Sequence, residues 1–208
     1  MHLAEIDRLA HAHGLHIMGT AHHKGAVVLL GTAPDFWPIF SASAEAQDGL
    51  TDPMDRWSKR VIGAIAQTLG ATAQFPSDGP PFPPFIRWAF DSNRFFQSPV
   101  GMLVHDTAGM MISLRGALLF DETLPDSTPV LQSSPCSQCP APCSTACPVN
   151  ALSADAAYDV EKCHSFLDTE SSQSCMTRGC IARRACPLSD GAGRSDAQSA
   201  FHMRAFHP

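Results

Sequence analysis

All eight cysteines of this 208-residue chain lie between Cys136 and Cys186. The residues before Cys136 form a cysteine-free part long enough to bury a core of its own. The remainder is a short C-terminal part organised around thiols. The compartment decides what those thiols do. The N-terminus, Met1-His2-Leu3-Ala4-Glu5-Ile6-Asp7-Arg8, has acids and a histidine where a secretory leader has a basic start and a long apolar run. The longest clean apolar run, Ala26 to Leu30, is far short of a membrane span. The expectation is a cytoplasmic protein without membrane contact. In a reducing compartment, clustered cysteines serve as metal ligands or redox groups more often than as structural disulfides. The net charge of −6 argues against nucleic-acid binding, which needs a basic face.

The spacing narrows the chemistry. The first four cysteines read Cys136-x2-Cys139-x3-Cys143-x3-Cys147-Pro148. A bacterial ferredoxin run reads Cys-x2-Cys-x2-Cys-x3-Cys-Pro, in which a tight loop aims three thiolates at one cluster and the fourth ligates another. Here one residue is inserted within Pro140-Ala141-Pro142, which adds at most about 3.5 Å of chain. The remaining cysteines are Cys163, Cys175, Cys180 and Cys186. Cys186 precedes Pro187, as the last ligand of a second run would. Arg183 stands where the middle cysteine of that run is expected, and Cys175 is available in its place. The expected assignment is Cys136, Cys139, Cys143 and Cys186 to one 4Fe-4S cluster, and Cys147, Cys163, Cys175 and Cys180 to a second. Structural zinc also accepts four thiolates, and metal-free thiols or disulfides form a third reading.

The N-terminal part shows helix and strand patterns in alternation. A helix is expected over Leu3 to His13, stopped by Gly14. Strands are expected over Leu15 to Ala21 and Ala26 to Leu30, then a turn and short helix at Asp35 to Phe40. The clearest helix begins at Thr51-Asp52-Pro53, with Asp52 as cap and Pro53 in the first turn. Trp57, Val61, Ile65 and Leu69 form its buried stripe, and Gly70 ends it. Five prolines in residues 76–84 exclude regular structure. A short helix is expected next, over Phe85 to Asn93. Val100 to His105 and Met110 to Leu119 read as paired strands joined by the turn Asp106 to Gly109. The Pro/Ser/Thr/Asp-rich stretch Asp121 to Pro135 reads as a boundary. The expected domains are 1–130, a cysteine module over 131–190, and a loosely ordered tail over 191–208.

Two resemblances rest on particular stretches. Pro135-Cys136-Ser137-Gln138-Cys139 through Ala146-Cys147-Pro148-Val149-Asn150-Ala151-Leu152, with Tyr158 to Glu170, Gly179-Cys180 and Cys186-Pro187, resembles the iron–sulfur segment of epoxyqueuosine reductase. Val27 to Pro34, Leu50 to Asp55 and Ile112 to Leu119 resemble the cobalamin-processing chaperone of the methylmalonic aciduria and homocystinuria type. The pairing of such a domain with a two-cluster module is also similar to reductive dehalogenases. The resemblance implies an α+β chain: a flavin-reductase-like or cobalamin-chaperone-like N-terminal domain, then a small, loop-rich ferredoxin-like module. It further implies that clusters pass single electrons to a corrinoid, cobalamin, making the chain a candidate cobalamin-dependent reductase. The electrons would come from a redox partner such as a flavodoxin or a reductase. Transfer RNA, the reductase family's substrate, is not expected to bind this acidic chain.

The same resemblance nominates further site residues. Asp78, in Ser77-Asp78-Gly79-Pro80, lies near the acid that the reductase family places over the corrin face; a turn aspartate before glycine is the plain alternative. Arg115 matches an arginine that holds a carboxylate in the chaperone family; pairing with a nearby acid would equally explain an arginine in an apolar strand. His105 corresponds to a pocket position. Two further functions remain open from the residues alone: a plain ferredoxin-like carrier whose N-terminal domain binds no cofactor, and a non-catalytic zinc or thiol module for protein contact.

Overall fold

A computed structural model describes residues 2–124 and 133–208 of the chain. Residues 125–132, most of the stretch expected to separate the domains, lie outside the described residues. In chain order the elements are α1 (Leu3–His11), β1 (Leu15–His22), β2 (Ala26–Thr32), α2 (Phe36–Ser41), α3 (Ala44–Gln47), α4 (Pro53–Leu69), β3 (Thr72–Gln74), α5 (Phe85–Asp91), β4 (Phe95–Gln97), β5 (Leu103–His105), β6 (Leu114–Phe120), α6 (Val160–Leu167), α7 (Gln173–Arg178), α8 (Ile181–Arg184) and α9 (Asp196–Phe206). Helices and antiparallel strands thus share one chain, an α+β arrangement. Among the described residues no helix is long and apolar enough to cross a membrane.

The chain divides into two compact units. The first, residues 1–94 and 113–132, holds a four-stranded antiparallel sheet in the order β1-β2-β6-β3. β2 is buried along its whole length, which is why its sequence is continuously apolar rather than alternating. α5 packs on β1 and β2, and α4 packs on β6 and β3. The α4 stripe lies where its spacing places it, with Trp57, Val61, Ile65 and Leu69 all buried. Trp57 meets Phe36 of α2 edge-on, with ring centroids 5.2 Å apart. Gly70 ends α4 in the left-handed conformation (φ 65°), which costs glycine nothing. Asp52 does not cap α4. Its own φ of 51° is left-handed and its side chain accepts no amide of the first turn, so Pro53 alone marks the start.

The second unit comprises residues 95–112 and 133–208. The expected boundary at residue 130 therefore misses an excursion, 95–112, that leaves the first unit and joins the cysteines. The expected hairpin is also corrected. β5 pairs with β4, a strand absent from the sequence expectation, through Phe95↔His105 to Gln97↔Leu103, while β6 pairs with β2 and β3 in the other unit. Met110 and Ile112 lie in neither sheet; their carbonyls are taken by the Arg183 side chain. The C-terminal part is more helical than its composition indicates. Residues 196–206, expected within a loose tail, form α9, started by the Ser195 hydroxyl accepting the Gln198 amide and packed on α7. Its sequence carries no apolar stripe, so periodicity gives no sign of it.

The fold of the first unit rests on α4, and Trp57→Ala is expected to cost about 3–5 kcal/mol, read as a lowered midpoint of urea unfolding. An unchanged midpoint would contradict that packing.

Candidate metal centre

The cysteines are presented by a short loop and three helices. Cys136 and Cys139 share a turn closed by the Cys139 amide on the Cys136 carbonyl at 3.2 Å. Ala141 then adopts a left-handed φ of 52° between its two prolines, and Pro142–Ser144 form a 3-10 turn that buries Cys143. One reversed backbone conformation thus absorbs the residue by which this run departs from ferredoxin spacing. The Ala141 amide donates to Cys139 Sγ at 3.4 Å. After Cys147-Pro148 the chain turns again, and the Ala151 amide donates to Cys147 Sγ at 3.2 Å. Cys163 lies on α6, which begins where the Asp159 carboxylate accepts the Lys162 amide at 2.9 Å. Cys175 is buried on α7, Gly179 ends that helix, and Cys180 opens α8. Cys186 lies just beyond α8.

The eight thiols sort into two sets of four. Cys136 interacts electrostatically with Cys186 and Cys139, and Cys143 with Cys186 and Cys136. Cys163 interacts with Cys180 and Cys147, and Cys175 with Cys180 and Cys163. Each neighbour belongs to the same set as its partner. The second set lines an enclosed recess with Leu152, Tyr158 and Leu167, in which about 20 Å³ is free between the side chains. The first set is more open: Cys136, Cys139 and Cys186 border an apolar cleft of about 290 Å³ with Val104, Pro187 and Leu188. Behind both lies one apolar cluster of Val100, Val104, Met110, Cys143, Leu152 and Ala182.

Backbone amides reach one sulfur in each set. In the first set the Ala141 amide donates to Cys139, and the Ser134 hydroxyl oxygen accepts the Cys136 amide at 3.2 Å. In the second set the Ala151 amide donates to Cys147. Burial pushes the Cys136, Cys143, Cys163 and Cys175 thiols up from their ordinary pKa, and the neighbouring polar groups of Ser134, Ser144, Tyr158 and Ile181 oppose it. Burial, then the neighbouring Cys163, raises Tyr158 well above an ordinary phenol. All eight cysteines are free thiols. Among the described residues no three His, Cys, Asp or Glu side chains stand close enough to share one metal ion. A cubane does not require that, since each of its thiolates binds a different iron. Tetrahedral zinc requires four sulfurs within about 3.8 Å of one another, from Zn–S bonds of about 2.3 Å.

Several contributors here escape sequence reasoning. Tyr158 is the only tyrosine of the chain, and its place five residues before Cys163 is the available signal. Arg183 proves to be a clamp: its Nε donates to the Met110 carbonyl at 2.7 Å and a second guanidinium nitrogen to the Ile112 carbonyl at 3.3 Å. The Ser189 hydroxyl completes the junction, accepting the Met110 amide at 3.1 Å and donating to the Arg183 carbonyl at 2.7 Å.

The remaining candidates each have a local explanation. Asp78 accepts the Phe75 amide at 3.0 Å and pairs with Lys59 at 2.9 Å, as a turn aspartate does. Arg115 is the extra residue of a bulge in β6, where Leu30 opposes Gly116 and Gly31 opposes Leu114. A bulge releases a side chain from strand alternation, and Arg115 reaches Asp55 of α4 at 3.1 Å. Burial lowers its pKa, and Asp55 opposes that. His105 belongs to the second unit, whereas Asp78 and Arg115 belong to the first. It is buried, and its Nδ1 faces the Thr107 and Ala108 amides at 3.3 and 3.2 Å and the Asp106 carboxylate at 3.2 Å. No protein-family model matches this chain, and no curated protein matches it.

The left-handed Ala141 carries a cost of about 1 kcal/mol that glycine would not. Ala141→Gly is therefore expected to leave thermal stability equal or higher, and Ala141→Val to lower it. A stabilising valine in a melting experiment would refute the assigned loop conformation.

Proposed function

We propose that the second unit holds two 4Fe-4S clusters and that the chain is an electron-transfer protein. The carrying observation is the sorting of eight thiols into two sets of four. Each set joins a local group to a remote cysteine, with Cys186 returning to the first run and Cys147 leaving it for the second. That exchange is what a two-cluster ferredoxin requires. The donor set fits the group: thiols alone, in an apolar surround, with the Ala141 and Ala151 amides directed at sulfur. Such bonds stabilise thiolate over thiol and tune the potential of a cluster.

Cys136, Cys139, Cys143 and Cys186 would hold one cluster, and Cys147, Cys163, Cys175 and Cys180 the other. When bound, a cluster supplies one-electron transfer. The chain's own part is to give up the thiol protons, fix the sulfurs and exclude water. Val100, Val104, Met110 and Leu152 do the last for both sets. The cleft beside Cys136, Cys139 and Cys186 gives the first set the access that a one-electron donor such as a flavodoxin or a reductase needs. As acceptor, the reading takes a corrinoid or another small molecule held by the first unit. The corrinoid rests on the resemblance alone. Asp78 and Arg115 already hold ion-pair partners, and His105 Nδ1 is engaged by the Thr107 and Ala108 amides and the Asp106 carboxylate, so no step is derived through a corrinoid.

Anaerobically prepared protein is expected to bind about eight irons per chain with matching sulfide and a broad absorption near about 400 nm. Cys143→Ser and Cys175→Ser are each expected to remove about half of the iron. Protein with neither iron nor sulfide would overturn the reading, and stoichiometric zinc in their place would establish the structural-metal alternative. Cobalamin titration tests the acceptor: a shifted corrinoid spectrum and co-elution are expected, and their absence removes the corrinoid while leaving the electron carrier intact.

A further inference from the structure

The second cysteine set is closed by a helix that supplies none of its sulfurs. Cys163 lies on α6, Cys175 on α7, and Cys180 opens α8. α9 holds no cysteine, yet it reaches the chain beside each of them. Ser199 stands against Gly179, between Cys175 and Cys180: a Cβ on that glycine would lie 3.1 Å from the Ser199 Cβ. Met203, one turn on, lines the recess with Cys147, Cys163, Cys175 and Cys180. Phe206 stacks on the ring of His164, the neighbour of Cys163, with centroids 4.6 Å apart. Just past the helix, His207 places Nδ1 2.7 Å from His164 Nδ1 and Nε2 3.1 Å from the Asp168 carboxylate. Ser199, Met203 and Phe206 follow helical spacing, so one face of α9 makes these contacts.

The closure is tight, and the hold behind it is slight. The recess has about 20 Å³ free, room for about one water molecule. A larger group enters only if one of the surrounding elements moves. α6, α7 and α8 each bear a thiol of the set and cannot leave without dispersing it. α9 can. Its buried residues are Gln198 and Ser199, both polar, so its docking draws little on apolar burial. Among the described residues Gln198 Nε2 has no hydrogen-bond partner, and an unmet buried donor weakens docking further. The Asp168 side chain paired with His207 is 72% exposed, where such pairs contribute little. A helix of this length does not persist alone in water, so its release from the surface is a local unfolding of low cost.

We propose that α9 is a cover over the second cysteine set. Docked, it seals the recess. Undocked, it opens the thiols to solvent and metal while α6, α7 and α8 stay in place. No covalent bond forms or breaks in this motion; only the contacts of α9 are made and lost. The first set needs no such device, since its cleft is open. That the opening serves cluster entry rests on the two-cluster reading above. That α9 covers the thiols does not.

The test is alkylation of the metal-free 208-residue chain with iodoacetamide under native conditions, each cysteine being read by mass spectrometry. Phe206→Ala and His207→Ala, singly and together, loosen α9 at one end. Cys175 and Cys180 are the reporters. They adjoin the Ser199 end of α9, about 10 Å along the helix from the substitutions. Buried Cys143 of the first set reports unfolding of the whole unit, and Arg204→Ala, on an exposed residue of α9, is the control. Cys175 and Cys180 are expected to label about tenfold faster in the double variant, as a loss of about 1.4 kcal/mol of docking gives. Cys143, and every cysteine of the Arg204→Ala protein, keeps its native rate. Unchanged labelling of Cys175 and Cys180 in the double variant, or an equal rise at Cys143, would overturn the cover. In anaerobically loaded protein, the double variant is expected to release half of its iron to a ferrous chelator faster than the native chain does. Release at the native rate would overturn the role in metal access. A native protein that binds no iron fails the two-cluster reading, while the alkylation result still decides the cover.

Discussion

The junction of Arg183 with the Met110 and Ile112 carbonyls is the constraint on which the second unit depends. It ties the excursion 95–112 to the cysteine segment, and without the excursion that segment has little apolar material of its own. Val100, Val104 and Met110 supply half of the buried cluster on which Cys143, Leu152 and Ala182 pack. The approach is close. Gly109 has φ 58°, and a Cβ there would lie 2.5 Å from the Ser189 amide nitrogen, so glycine is required on both conformational and steric grounds. A side chain at Gly109 would force it away from the Leu188–Ser189 backbone.

The same junction explains where the sequence is readable and where it is not. α4 is legible because its signal is local: a proline at the first turn, an apolar residue every fourth position, and a glycine with positive φ at the end. Under the two-cluster reading the cysteine grouping is legible because cluster chemistry would constrain spacing, and the left-handed Ala141 accommodates the inserted residue. The hairpin expected over residues 100–119 fails because its two halves are individually good strands, and nothing local says that they pair with different partners. That decision is made by Arg183, seventy residues away in sequence, when it takes carbonyls that a continuing ladder would have used. Arg115 is conspicuous in the sequence for a sound reason, yet its resolution, a bulge that turns it to Asp55, is a pairing irregularity that no periodicity records.

Position 183 also shows how a motif can lose a residue and keep its geometry. In a ferredoxin run, a compact loop delivers consecutive ligands. Here the second set draws Cys175 from α7 and Cys180 from the start of α8, with Gly179 (φ 89°) turning the chain between them. Two short helices and a glycine replace one loop. Position 183 carries no thiol, and its side chain instead takes the Met110 and Ile112 carbonyls. An arginine suits such a position, because its planar fork satisfies two carbonyls at once.

That geometry bears on how the second unit is stable at all. Its helices are short, α8 spanning only Ile181–Arg184, and isolated helices of such length do not form in water. Its buried apolar residues include alanine and cysteine beside Phe95, Met110 and Leu152. Small domains of this kind lean on disulfides or metal for what the core does not provide. The thiols are free, and burial keeps four of them protonated in the absence of metal. Each set joins segments far apart in sequence, as a pair of disulfides would, and so removes the same kind of chain freedom from the unfolded state. Ligation would therefore contribute to folding as well as to electron transfer. The asymmetry between the sets then has a structural side. The enclosed second set links Cys147, α6, α7 and α8, whereas the open first set links one loop to Cys186. Under the two-cluster reading, ligation at the second set would tie together more of the chain, and the first set would be the more accessible.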